Sequence, residues 1–490
     1  MECNRNIAEF LDGKSILVTG STGYLAKIFV EKVLRIQPQV KMIYLLLRAN
    51  DTVAATRRLE TQVLGADLFK LLRETHGETF NSFISSKVSP IRGNISLENL
   101  GIDNSGLREQ LFNELDVIIN SAANTKFDER YDVALGTNTF GAKNIVEFAK
   151  KCVKLGMLLH VSTAFVAGEK AGVIPERPFC MGEALNIGTS TLDPYAELKL
   201  MEIKLKQLQD KGVTEERKTI AMKELGLQRA AYFGWPNTYV FTKAMGEMLM
   251  GHLRDSVPLV IVRPSIVTST YLEPFPGWIE NTRTIDSLLV AYALGKLKCF
   301  IADPTAIVDV IPGDMVVNAI IRLSAAHFCK SSVHIYHMCS SMRNPPNYFK
   351  LRDWFYQYFS KHPHIGNDGK PIKVRMGSLM TSMASFNKYM NLHYKLPLEV
   401  FSIINRATCR LFSYQYNRLN KKYNYAMRAA SLYKPYVFFK GRFDDSNSEW
   451  LRVGSSDDSE RLLYYRIQDI NWEYYFMSVH IPGVVKYLVK

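Results

Sequence analysis

The stretch Ser15-Ile16-Leu17-Val18-Thr19-Gly20-Ser21-Thr22-Gly23-Tyr24-Leu25-Ala26 decides the fold. A short apolar run, a turn with two glycines and the start of a helix follow one another without a gap. That is the order of first strand, turn and first helix in a dinucleotide-binding sheet. Gly20 permits the tight turn, Gly23 lets backbone approach a phosphate, and Ala26, where a third glycine often stands, lets helix and strand pack closely. An anion resting on the helix N-terminus makes Thr19, Gly20, Ser21, Thr22, Gly23, Tyr24 and Leu25 candidate cofactor-binding residues.

Working outward, the first 270 residues alternate short apolar runs with amphipathic stretches. The pattern predicts an α/β fold, a doubly wound parallel Rossmann-type sheet with helices on both faces. Six strands are expected, over Ser15 to Thr19, Met42 to Leu47, Lys87 to Arg92, Asp116 to Ser121, Leu158 to Ser162 and Leu259 to Arg263. A Lys- and Glu-rich helical segment at about 193–237, broken at Gly212, reads as an insert. Pro274-Phe275-Pro276-Gly277-Trp278 and Asp309-Val310-Ile311-Pro312-Gly313-Asp314 read as rigid turns. The polar stretch from Gly366 to Pro371 divides a dinucleotide-binding domain, 1–365, from a mainly helical C-terminal domain, 378–490. The latter is basic and aromatic to Arg442 and then forms an acidic, serine-rich loop, Asp444 to Glu460.

Composition limits the class of protein. The 490 residues are 47% apolar and 22% charged, as in an ordinary globular chain. The seven cysteines form no Cys-x-x-Cys pair and read as reduced thiols. The ten histidines include no ligand-spaced pair with a third ligand, so no metal is expected. Glu2, Arg5, Glu9 and Asp12 interrupt any secretory leader, and no apolar run reaches the ~18 residues of a membrane span. The net charge is +14, and from Lys370 onward 19 Lys and Arg face nine Asp and Glu. That end of the chain favours a phosphate-rich partner or an anionic surface. No nucleic-acid motif is present, so no nucleic acid is expected.

The second informative phrase is Tyr239-Val240-Phe241-Thr242-Lys243. On a helix its phenol and ammonium share a face. A nearby ammonium lowers the phenol pKa from ~10 and fits it for proton transfer. Tyr239 and Lys243 are therefore the leading catalytic candidates, and Lys243 is also a candidate cofactor ligand. The fifth strand ends His160-Val161-Ser162-Thr163, which offers Thr163 as the hydroxyl partner of Tyr239, with Ser162 as the structural alternative. Small residues in Asn120-Ser121-Ala122-Ala123 leave room for the cofactor, with Ala122 against it, and Asn138 is placed to support Lys243 through water. The second strand ends Leu47-Arg48-Ala49-Asn50. Arginine there suits a 2′-phosphate, which points to NADPH with Arg48 first and Arg58 second as its ligands.

These phrases, with Lys126-Phe127-Asp128-Glu129-Arg130-Tyr131-Asp132, Gly234-Trp235-Pro236-Asn237-Thr238-Tyr239, Pro274 to Glu280 and Val479-His480-Ile481-Pro482-Gly483, resemble the alcohol-forming fatty acyl-CoA reductases, above all their plant branch. That family belongs to the extended short-chain dehydrogenases. The likeness spans nearly the whole chain, and the 76 positions from Thr163 to Tyr239 match the family's long insert. It implies reduction of a long-chain fatty acyl-CoA to a primary alcohol by two NADPH, through an aldehyde, in wax- or suberin-type lipid synthesis. It also implies a C-terminal reductase-associated domain from about Tyr389. Two departures stand out: Tyr24 replaces a usual Phe, and Asn94, in Gly93-Asn94-Ile95, replaces the Asp expected against adenine. Since substrate and product are lipids, peripheral contact with the cytosolic face of the endoplasmic reticulum membrane is expected, with the cytosol as alternative. The competing readings are a reductase that stops at the aldehyde, a sugar-nucleotide epimerase or dehydratase, and a non-catalytic cofactor sensor. Chain length and oligomeric state are not fixed by the sequence.

Overall fold

The structure, a computed structural model, describes residues 7–366, 368–451 and 462–489. Its centre is a parallel sheet of β1 (Ser15–Thr19), β2 (Met42–Leu47), β3 (Val88–Arg92), β4 (Val117–Asn120), β5 (Met157–Val161), β6 (Leu259–Pro264) and β7 (Val333–Met338). The strand order is β7-β6-β5-β4-β1-β2-β3, with the order reversing between β1 and β4. Burial follows the pleat. Ile16 and Val18 feed one core and Leu17 the other, so β1 is apolar on both faces, as a covered parallel sheet requires.

The doubly wound fold is the one read from the sequence, with corrections. The six expected strands are joined by a seventh, β7, hidden because His334, Tyr336 and His337 interrupt its apolar pattern. Lys87 ends the preceding helix rather than starting β3. The Asp309 to Asp314 phrase is not a turn: Val310–Pro312 is a short strand paired with Ile266–Thr268. A helix then begins at Gly313.

The helices that matter for the site are α1 (Tyr24–Ile36), α2 (Gly141–Ala149), α3 (Pro194–Asp210), α4 (Glu215–Phe233), α5 (Thr238–Leu253), α6 (Gly313–His327), α7 (Leu396–Ala407) and α8 (Ser413–Val437). The insert is α3 and α4, separated at Gly212, where a φ of +60° suits glycine. Asp193 and Thr214 cap the two helices. At α5, Asn237 accepts from the Val240 N–H at 3.1 Å and sets where the helix begins.

The C-terminal segment does not stand apart. Leu463, Tyr465, Trp472, Tyr475 and Phe476 belong to the same core as β1 and α1. Tyr475 donates to the Ser269 carbonyl at 2.8 Å, and Gly441–Phe443 pairs with Gly172–Ile174. Of the expected loop Asp444 to Glu460, residues 452–460 lie outside the described residues, and a short 3-10 helix covers Ser446–Leu451.

Candidate active site

The glycine turn lies at the carboxyl end of β1, beside the point where strand order reverses, the position that opens a crevice in such sheets. Gly20 has φ +67°, and a Cβ there would sit 2.7 Å from the Ala122 nitrogen and the Ser121 carbonyl. Only glycine fits. Gly23 occupies the N-cap of α1 and offers no side-chain cap, so the first-turn N–H groups remain available to an anion. Ser21 shapes the turn from inside, donating to the Val18 carbonyl at 3.0 Å, while Thr22 and Leu25 are half-buried. The cradle therefore fits the pyrophosphate of a dinucleotide.

Tyr24 contributes otherwise than by its ring. Its hydroxyl donates toward the carbonyls of Thr268 at 3.0 Å and Trp278 at 3.1 Å, and the ring stacks on Trp278 at 5.0 Å. It anchors α1 to the loop after β6. Arg48 is exposed at the end of β2, and its carbonyl accepts from the Arg58 guanidinium, which also bonds Gln62. Both arginines thus flank the crevice on the side where the second strand ends. Asn94 spends its amide oxygen on the Ser96 N–H at 3.1 Å.

Tyr239 lies in the first turn of α5 and meets Thr163, which follows β5. Burial pushes the phenol up to about 12; Arg283 and the Thr163 hydroxyl oppose the rise. The Thr163 hydroxyl also reaches the Pro264 carbonyl at 3.4 Å. Ser162 is buried, and its Oγ has no hydrogen-bond partner. The phenol pKa is thus raised, whereas the sequence led us to expect Lys243 to lower it. The reason is positional: Lys243 Nζ is held by the Val161 carbonyl at 2.8 Å and His160 Nε2 at 2.9 Å. Burial brings Lys243 down to about 7, against the pull of Glu247.

Asn138 also sits elsewhere than expected. Its side chain bonds the backbone of Asn124 and the Thr242 hydroxyl, so it positions α5 through Thr242. Two participants were missed. Arg283, half-buried, lies 5.7 Å from the Tyr24 ring and is the cation that acts on Tyr239. His160 lies next to Asn120 in the β4–β5 register, and Asn120 next to Thr19 in the β1–β4 register. One polar residue at or next to the end of each of three neighbouring strands was the available signal.

A family profile described as "Male sterility protein" matches residues 18–320, and a second with the same description matches 393–490. The chain is 48% identical to "Fatty acyl-CoA reductase 1" of Arabidopsis thaliana, covering 99% of each. It is 47% identical to the "Alcohol-forming fatty acyl-CoA reductase" of Simmondsia chinensis over 100% of each. Among solved structures, the terminal R domain from the myxalamid biosynthetic pathway superimposes with a TM-score of 0.56 at 16% identity, covering 92% of this chain and 90% of that one. That likeness speaks for the fold alone, the parallel sheet covered by helices. Matched end to end by these relatives, with the glycine turn, Thr163, Tyr239 and Lys243 gathered at one end of its sheet, the chain belongs to the fatty acyl-CoA reductase family.

Proposed function

We propose that the protein reduces long-chain fatty acyl-CoA to the primary fatty alcohol with NADPH, holding the aldehyde between two reductions. The observation that carries this reading is the meeting of Thr163 and Tyr239 beside the glycine turn, in a chain similar throughout to an alcohol-forming reductase. Arg48 at the end of β2 supports NADPH over NADH.

When bound, NADPH supplies the hydride for each reduction. The hydroxyls of Tyr239 and Thr163 donate hydrogen bonds to the substrate oxygen as it becomes an oxyanion. Collapse of the first tetrahedral species expels the CoA thiolate and leaves the aldehyde. At the second reduction Tyr239 gives its proton to the alkoxide, and Arg283 stabilises the phenolate that remains. A buried phenol raised above its ordinary range stays protonated at neutral pH, as a proton donor must.

The fatty alcohols would serve wax- or suberin-type lipid synthesis, with the protein held peripherally on the cytosolic face of the endoplasmic reticulum. Among the described residues no helix is long and apolar enough to cross a membrane. Leu396, Val400, Ile403 and Ile404 repeat at helical spacing along α7, and all are exposed. From Lys388 to Lys434 nine Lys and Arg accompany one acid, Glu399. An apolar helical stripe rimmed by cations suits an anionic lipid surface.

The test is stoichiometric. Consumption of two NADPH for each CoA thiol released supports the alcohol; one for one means release of the aldehyde, and no oxidation with any thioester overturns the reading.

A further inference from the structure

A row of buried polar side chains runs from the glycine turn to Lys243. The Ala122 N–H donates to Thr19 Oγ1 at 3.2 Å, and Thr19 Oγ1 donates to Asn120 Oδ1 at 2.7 Å. Asn120 Nδ2 lies 2.8 Å from His160 Nδ1, and His160 Nε2 lies 2.9 Å from Lys243 Nζ. Thr19 and Asn120 are fully buried, His160 and Lys243 nearly so. No solvent competes for these bonds, so their directions depend on one another.

His160 is kept neutral, its pKa well below the usual value through burial and the neighbouring Lys243. A neutral imidazole donates from one nitrogen and accepts at the other. With Thr19 donating to Asn120 Oδ1, Asn120 donates to Nδ1, Nε2 carries the proton, and Lys243 must accept it as an amine. If Lys243 is an ammonium, the bonds between side chains reverse while the Ala122 N–H still donates to Thr19: Nε2 accepts, Nδ1–H donates to the Asn120 oxygen, and the Asn120 amide donates to Thr19. The row thus has two settings, one for each protonation state of the lysine. The charged and titratable groups nearby are Tyr239 and Glu247 on α5, Arg263 on β6, bonded to Glu247 at 2.6 Å, and His337 on β7, 3.5 Å from Arg263. Glu247 is the one that acts on Lys243.

We propose that His160 is a positioning residue for the reduction, the acceptor that allows Lys243 to hold a proton in the buried site. This rests on the reading of Tyr239 and Lys243 as the catalytic pair. In turnover Tyr239 gives O–H to the alkoxide and regains its proton from solvent, while the Lys243 ammonium keeps His160 Nε2 as its acceptor and Nδ1–H stays on Asn120. A buried ammonium that lacks its acceptor is costlier than an amine that lacks a donor. Loss of His160 therefore moves protonation of Lys243 to lower pH.

The experiment compares His160→Asn, whose amide reaches toward Asn120 but not Lys243, with His160→Gln, whose amide oxygen can stand in for Nε2. At saturating NADPH the high-pH limb of kcat is expected about one unit lower in His160→Asn, with kcat at pH 8 down about tenfold and KM for acyl-CoA little changed. His160→Gln should keep the wild-type limb. A second readout needs no turnover: protons taken up on NADPH binding at pH 8, by calorimetry in two buffers of different ionisation enthalpy. Uptake should fall in His160→Asn and persist in His160→Gln. A limb and a proton uptake unmoved in His160→Asn would show a merely structural residue, and a limb displaced by about a unit in His160→Gln would equally overturn the proposal. If no thioester is reduced at all, the functional reading fails, and the proton uptake alone decides the role of His160.

Discussion

The Asn237 side-chain amide donates to the Tyr436 hydroxyl at 2.6 Å, across 199 positions of sequence. Asn237 caps α5 two residues before Tyr239, and Tyr436 lies in the last turn of α8. The Tyr436 ring also packs on Phe127 at 4.9 Å and Phe165 at 5.0 Å, and Phe127 stacks toward Tyr239. The basic C-terminal helix therefore ends on the catalytic helix's cap. Tyr436→Phe should keep the packing, lose about 1 kcal/mol in a urea melt and lower kcat roughly threefold to tenfold. Asn237→Ala, which removes the cap as well, should cost roughly 2 kcal/mol.

Cofactor choice should turn on Arg48. Its exposed guanidinium at the end of β2 has the planar fork that takes a phosphate through paired bonds. Arg48→Asp is expected to raise KM for NADPH about 10- to 100-fold while KM for NADH falls or holds, a comparison made by initial rates with each cofactor. Equal losses for both would mean that Arg48 serves the fold rather than the 2′-phosphate.

The cost of burying Lys243 is open to a stability measurement. Its pKa is about 7 in the fold against the ordinary 10.5. Between those values the unfolded chain binds the extra proton, so stability rises with pH across this window and the full penalty is felt below about 7. Lys243→Met should be more stable than wild type at pH 7 by roughly 1–4 kcal/mol. Its advantage should shrink toward pH 10, by up to about 1.4 kcal/mol per unit, in denaturant melts at several pH values. Activity should be lost at every pH.

The exposed face of α7 gives a fourth handle. Val400→Asp with Ile403→Asp should leave soluble turnover intact and weaken sedimentation with anionic vesicles by about tenfold or more, and raised salt should weaken the wild type in the same direction. Neutral phosphatidylcholine vesicles should bind less than mixtures with phosphatidylglycerol. Indifference to both substitutions would remove α7 as the docking face.

The legible parts of the molecule were those written locally. Strand, turn and helix around Gly20 follow one another in sequence, and alternating burial in β1 needs no partner to be read. β7 was missed because Val333-His334-Ile335-Tyr336-His337-Met338 mixes polar and apolar residues. His337 is buried with its ring N–H on the Asp444 carbonyl at 2.7 Å, a partner from the distant C-terminal segment. Tyr239 and Thr163 were legible from helix spacing and strand end, and they meet. The partners of Lys243 were not, because Thr19, Asn120 and His160 become neighbours only through strand register. For the same reason Asn138 was assigned to Lys243, whereas the turn of helix it occupies faces Thr242.

The most direct test of the account is to supply purified wild-type protein and Tyr239→Phe with NADPH and saturated acyl-CoAs of increasing length, and to identify the products by gas chromatography and mass spectrometry. The account predicts primary alcohol from the wild type and at least about a hundredfold less from Tyr239→Phe, which retains NADPH binding. Full turnover by Tyr239→Phe, or aldehyde as the wild type's end product, would contradict it.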